Sequence, residues 1–332
     1  MGIIVLGGIS NGCFALPMKY SRRWQWENTW LVFCLLALLI LPWVLALQFV
    51  PRLGALYHAA PAHLLLLPLM FGFLWGIAQV TFGVSIKAIG MAIAIAVVQG
   101  VQTPLGSLIP LLAADAAALL QPRGLLLLAS LPIVFTGLFL YGMAGKRREK
   151  EQAEVRANEH GMSFIAGLGI AVFTGVFGAN LNLGFACGGG LITRSAQLGA
   201  NPATATYPVW ALVLGAGFIP NLLYCAFLIF RNRTWSLFKN SGWTKEFMLS
   251  LAMALLWLGG IILYGIGANL IGAYGTSVGF VAMTSSVLLA ASAAGIFAGE
   301  WKFASLGTKK LLAGGIASIL VSIGVLSVGG VL

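Results

Sequence analysis

Long apolar runs and short polar gaps alternate along this chain from end to end. Ten of the runs are long enough to cross about 30 Å of hydrocarbon as helices of roughly 20 residues. They fall near residues 2–19, 30–50, 64–86, 91–112, 124–144, 162–186, 206–230, 247–270, 276–298 and 308–331. Numbered in that order as spans 1 to 10, they predict an all-α polytopic membrane protein. In lipid, only helices or closed barrels satisfy every backbone polar group. The gap near Gly90 is so short that spans 3 and 4 read almost as one helix. Pro42, Pro104, Pro132 and Pro220 fall inside spans, where each removes a backbone hydrogen bond and can bend its helix. No basic residue precedes the first span, and Lys19, Arg22 and Arg23 follow it. It is therefore expected to stay in the mature protein rather than leave as a signal peptide.

Composition strengthens this reading. Apolar residues make up 60% of the chain and charged residues 8%, against roughly 25% charged in a soluble domain. Charge also gives direction. Of the 19 Lys and Arg residues, 16 sit in the odd-numbered gaps, from Lys19 in the first to Lys310 in the ninth. Only Arg52, Arg123 and Arg194 occupy even gaps. Positive residues resist translocation, so the odd gaps are expected in the cytoplasm and both termini outside a bacterial inner membrane. The net charge of +11 follows from this rule and from attraction to anionic lipid headgroups, with no nucleic-acid partner needed. Trp24, Trp26 and Trp30, like Trp235 and Trp243, stand beside basic gaps and read as an interfacial belt.

The stretch KRREKEQAEVRANEH, from Lys146 to His160, is the one sizeable soluble segment. It divides the chain into a first five-helix repeat (1–144), a cytoplasmic basic linker (145–161) and a second five-helix repeat (162–332). Five spans per half force opposite orientations, the arrangement of an inverted repeat. A shift of 182 residues sets FLWGIAQVTFGVSIKAIG, from Phe73, over LLWLGGIILYGIGANLIG, from Leu255, and matches Trp75 with Trp257. Glycine pairs at four-residue spacing, such as Gly8 with Gly12 and Gly72 with Gly76, predict close helix packing inside the bundle.

A polar side chain at bilayer depth should face a cavity or another helix. Here the set is almost wholly uncharged: Asn11, Gln79, Thr81, Gln99, Gln102, Thr103, Asn180, Asn182, Asn221 and Thr284 to Ser286. Amides both donate and accept hydrogen bonds, and aromatic faces suit the C–H faces of a sugar ring. Asn11, Gln79, Gln99, Asn180, Asn182, Tyr207 and Tyr264 are accordingly candidates for hydroxyl recognition, with Trp75 as a stacking platform. Each amide taken alone reads more readily as an interhelical hydrogen bond than as a ligand contact. No carboxylate lies at mid-span. Glu27 and Glu300, at the ends of spans 2 and 9, are the candidates for carrying a proton, against a plainer role in a cap or ion pair. Glu246 reads as a helix N-terminal residue. Cys13, Cys34, Cys187 and Cys225 form no CxxC pair, and His58, His63 and His160 are scattered. Neither a metal site, a cofactor nor an enzyme's catalytic motif is expected.

Specific segments then carry a resemblance. GCFALPMKYSRRWQWENTWLVFCLLALLILPW, from Gly12 to Trp43, contains the W-x-W-E-x-x-W motif of Trp24, Trp26, Glu27 and Trp30, followed by Pro42 and Trp43. With LWGIAQVTFGVSIKAIGMAIAIAV from Leu74 and the Glu300–Trp301 pair, it resembles the L-rhamnose–proton symporter family of the drug/metabolite transporter superfamily. The resemblance implies a 5+5 inverted-repeat bundle whose central cavity is lined mainly by spans 1, 3, 4, 6, 8 and 9. It implies uptake of a deoxyhexose by proton symport and alternating access, and it draws Glu27 and Glu300 toward the coupling role. A superfamily exporter, or an uptake carrier for another metabolite, is the rival transport reading. A membrane-embedded enzyme would require a catalytic cluster within the spans, and the sequence offers none.

Overall fold

The computed structural model describes residues 1–89, 91–153, 164–239, 242–297, 299 and 301–329. It is 87% helical. Ten helices among the described residues are long and apolar enough to span a membrane: Gly2–Tyr20, Trp26–Phe49, Ala62–Ile86, Ile93–Ala114, Pro122–Arg148, Ile165–Gln197, Tyr207–Asn232, Trp243–Ile271, Gly275–Phe297 and Leu306–Val328. The chain is thus an all-α, multi-pass membrane protein. Gly90, where the turn between spans 3 and 4 was expected, lies outside the described residues, as do residues 154–161 of the linker. The helix of span 5 continues to Ala153, so the first part of that linker is helical.

Two spans depart from simple helices. Span 6 runs eleven residues beyond the expected 186 and is broken twice, into Phe164–Gly178, Asn180–Cys187 and Gly189–Gln197. Its last piece, GGLITRSAQ, is amphipathic and polar, which is why hydropathy ends the span too early. Span 2 begins four residues earlier than expected and passes through a wide π turn at Leu35–Ile40 just before Pro42. The proline ring crowds the carbonyl of the preceding turn, and widening that turn accommodates it.

Packing is set by glycines. A Cβ on Gly72 would stand 2.1 Å from the Val213 carbonyl oxygen, and one on Gly76 2.5 Å from that of Gly217. Spans 3 and 7 therefore touch backbone to backbone. Gly7 meets Gly260 of span 8 in the same way, while Gly8 and Gly12 seat span 1 on Met283, Ser286 and Val287 of span 9. The small-residue pairs serve the bundle interior, as expected. The principal neighbours are spans 1 with 8 and 9, 6 with 3 and 4, 2 with 7 and 8, 7 with 3, 5 with 10, 4 with 9, 3 with 4, 8 with 9, 4 with 5, and 9 with 10.

Hydrogen bonds between gaps join like with like. At the even-gap end, Tyr274 donates to the Ala118 carbonyl and to Gln121 Oε1, and Tyr57 reaches the Pro208 carbonyl in the first turn of span 7. In the odd gaps, Trp24 reaches the Leu237 carbonyl, and Ser305 and Thr308 donate to Glu151. The bundle has one basic end and one nearly uncharged end.

Candidate functional site

Trp75 of span 3 and Trp257 of span 8 lie nearly face to face at the bundle centre, ring centroids 5.7 Å apart and planes 23° apart. Gly217 makes room for this: a Cβ there would come within 2.7 Å of the Trp75 ring. The aromatic wall continues through Phe33, edge-on to Trp257 at 6.1 Å, and Trp30, 5.0 Å from Phe33. Trp26 then stacks on Trp30 at 5.2 Å. Phe14 from span 1 closes against Trp30 and Phe33.

Between these rings is a space of about 20 Å³, lined also by Gln79, Asn221, Cys34 and Leu38. That is room for about one water, so the rings must part before a monosaccharide enters. Two amides face it. Gln79 comes from span 3. Asn221 accepts from Trp30 Nε1 at 3.1 Å and donates to the Gly217 carbonyl at 2.9 Å. Asn11 sits behind the Trp pair, its Nδ2 on the Trp257 carbonyl at 3.1 Å.

A second polar group lies toward the nearly uncharged end. Asn182 is fully buried and donates to the carbonyls of Gly106 at 2.7 Å and Thr276 at 2.9 Å. The buried Tyr264 hydroxyl donates to Asn182 Oδ1. One side chain thus joins spans 4, 6, 8 and 9. Aromatic packing holds Tyr264 in place, with Phe185 stacked on Trp210 at 4.4 Å and Phe280 edge-on. The break at Ala179 frees carbonyls of the preceding helix, and Asn180 Nδ2 takes up those of Phe177 at 2.8 Å and Val176 at 3.4 Å. Gln99 accepts from Gln102 Nε2 at 2.6 Å on span 4. Tyr207 is apart from both groups, against Phe49 at the start of span 7.

The basic end is closed by two buried carboxylates. Glu27 accepts from Asn232 Nδ2 at 2.9 Å and Thr234 Oγ1 at 3.2 Å. Arg233, with φ 55°, ends the span 7 helix just before Thr234. Asn28 Nδ2 adds a bond to the Thr234 carbonyl. Glu246, 1% exposed, accepts from Ser21 Oγ at 2.5 Å and from the N–H groups of Arg22 and Arg23 at 3.2 and 3.1 Å. It stands in the first turn of span 8, as expected of a helix N-terminal acid, but its carboxylate is spent on the loop between spans 1 and 2. Glu300 lies outside the described residues.

Residues 1–331 match the family described as L-rhamnose-proton symport protein (RhaT). The chain belongs to this family. Among similar proteins, the L-rhamnose-proton symporter of Cronobacter sakazakii is 27% identical over 99% of this chain and 97% of its own length. Those of Klebsiella pneumoniae subsp. pneumoniae and Escherichia coli O1:K1 / APEC are 25% identical over the same shares. Family membership makes the chain a transporter rather than an enzyme.

Within this RhaT-family chain, the tryptophan motif departs from an interfacial belt. Trp24 is buried, with its Nε1 on the Leu237 carbonyl, and Trp30 faces the central space. Trp235 and Trp243 are exposed, as a belt requires. Sequence reasoning missed Trp30, Asn221 and Glu246 as parts of these clusters. Asn221 was visible as a mid-span amide. Glu246 had no local signal, because its partners are more than 220 residues away.

Proposed function

We propose that this protein imports a neutral monosaccharide, L-rhamnose or a similar deoxyhexose, with a proton, by alternating access across the bacterial inner membrane. The observation that carries the reading is the stacked Trp75–Trp257 pair with Gln79 and Asn221 beside it. Parted, the rings would offer flat faces to a sugar's C–H groups and the amides would meet its hydroxyls. The relatives are named L-rhamnose-proton symporters, which supports both substrate and coupling ion. Gln99, Asn180, Asn182 and Tyr264 complete the proposed uncharged path, and Asn11 supports Trp257 from behind. Tyr207 is assigned to the outer entrance.

Coupling is assigned to Glu27. It sits between Trp26 and Trp30 in the chain, and Asn232 and Thr234, at and just after the end of span 7, donate to it through side chains that can turn away. Glu246 accepts from the Ser21 hydroxyl and two backbone N–H groups of the loop between spans 1 and 2, which suits a clasp at the basic end rather than a proton carrier. Glu300 keeps its place as second candidate on the strength of the sequence. The two halves are read as an inverted repeat. In support, exchanging spans 1–5 with 6–10 maps each principal pairing onto another or onto itself: 1 with 8 becomes 6 with 3, and 5 with 10 is unchanged. The basic end is placed in the cytoplasm.

Uptake of labelled L-rhamnose into vesicles, with and without an inward proton gradient, tests the function. The expected outcome is gradient-driven accumulation abolished by a protonophore, and thermal stabilisation of the purified protein by rhamnose but not by lipophilic cations. Stabilisation by cations alone would instead favour an exporter.

A further inference from the structure

Away from the central path, a concavity opens on the outside of the bundle. It has a volume of about 540 Å³ and lies between the end of span 9 and the start of span 10. Ile296, Trp301, Leu312 and Ile316 form an apolar floor, and Lys302 and Lys309 stand at its rim. Phe297, Phe303 and Leu306 beside it are largely exposed, so the surroundings are hydrocarbon rather than water. Lys309 Nζ reaches the Lys302 carbonyl at 3.3 Å, which fixes the rim. Arg148 lies over the Trp301 ring at 4.6 Å and holds the indole in the floor.

The charge around it is lopsided. Residues 144–153 and 299–310 carry seven cations and three carboxylates. One of those acids, Glu151, is taken by the Ser305 and Thr308 hydroxyls and the Ser305 N–H. These bonds hold its carboxyl below the ordinary carboxylate range. We infer that this groove is a binding site for an anionic phospholipid, one acyl chain on the apolar floor and the headgroup phosphate between Lys302 and Lys309. Charge complementarity selects the occupant. A zwitterionic lipid would fill the floor equally but gain nothing from two ammonium groups at headgroup depth, where each is worth about fivefold in binding.

Native mass spectrometry of the detergent-purified protein, titrated with phosphatidylglycerol, phosphatidylcholine or inorganic phosphate, tests this. The wild type is expected to retain one phosphatidylglycerol in preference to phosphatidylcholine. The Lys302→Gln/Lys309→Gln variant should bind it roughly 30-fold more weakly, while Lys239→Gln/Lys245→Gln, in another basic gap, should leave it unchanged. Ala313→Trp, which places bulk in the groove without touching charge, should also displace the lipid. Equal binding of the two lipids, equal loss in both lysine pairs, or displacement by millimolar phosphate would overturn the site. Monodisperse elution of each variant separates loss of lipid from loss of fold.

Discussion

Trp75 and Trp257 are matched by the internal shift of the sequence and meet in the folded chain. A substitution at Trp75 therefore acts on the proposed site first. An aromatic stacking partner contributes about 0.5–1.5 kcal/mol beyond its buried area. Trp75→Ala should raise the KM for sugar uptake roughly 3- to 10-fold, with Trp75→Phe retaining part of the effect. Asn182→Leu should behave differently. It strips the Gly106 carbonyl of its side-chain donor and leaves the Tyr264 hydroxyl only the Thr276 carbonyl as acceptor. An unmet buried polar group costs about 1–3 kcal/mol, so the first effect of this substitution is a lower melting temperature. Uptake kinetics and thermal unfolding of both variants distinguish the roles; a Trp75→Ala protein with unaltered KM would remove Trp75 from the site. Residue identity was readable here because polar groups are scarce within the spans. Partnership was not. Whether Asn180 met a ligand or its own helix depended on the break at Ala179, which no periodicity announces.

At the scale of elements, hydropathy located all ten spans, because a run of apolar residues is the condition for crossing lipid. It failed where a helix stays within the bundle while becoming polar, as Gly189–Gln197 does. It also could not tell glycines that seat a neighbour from glycines that face open space. The structure separates them. Gly72 has the Val213 carbonyl where a Cβ would go, and Gly83 on the same helix has nothing within 4 Å. Gly72→Ala should force spans 3 and 7 apart and lower the melting temperature by many degrees. Gly83→Ala should be neutral or slightly stabilising, since glycine costs about 1 kcal/mol in a helix interior relative to alanine. Equal melting of the two variants would show that the span 3–7 seam is not the close contact described.

Among the described residues the central space is too small for the proposed cargo, so transport by alternating access requires the bundle to open, one end at a time. At the nearly uncharged end the closure is Asn182 with Tyr264; at the basic end it is Glu246 on the loop between spans 1 and 2, with Glu27 on the segment after span 7. Cys34 lines the central space and is 1% exposed, a native reporter of opening. With Cys13, Cys187 and Cys225 replaced by serine, its alkylation by an impermeant maleimide reads access from a chosen side. Glu246→Ala leaves two backbone N–H groups without their acceptor, and relief of one such bond, about 1–1.5 kcal/mol, corresponds to roughly tenfold more time open. Labelling of Cys34 should therefore rise about tenfold in inverted vesicles and stay unchanged in right-side-out ones. Glu246→Gln, which can still accept from both N–H groups, should restore most of the protection. A rise only in right-side-out vesicles would reverse the membrane orientation assigned from the basic gaps; no rise in either would mean that Glu246 braces the fold without gating it.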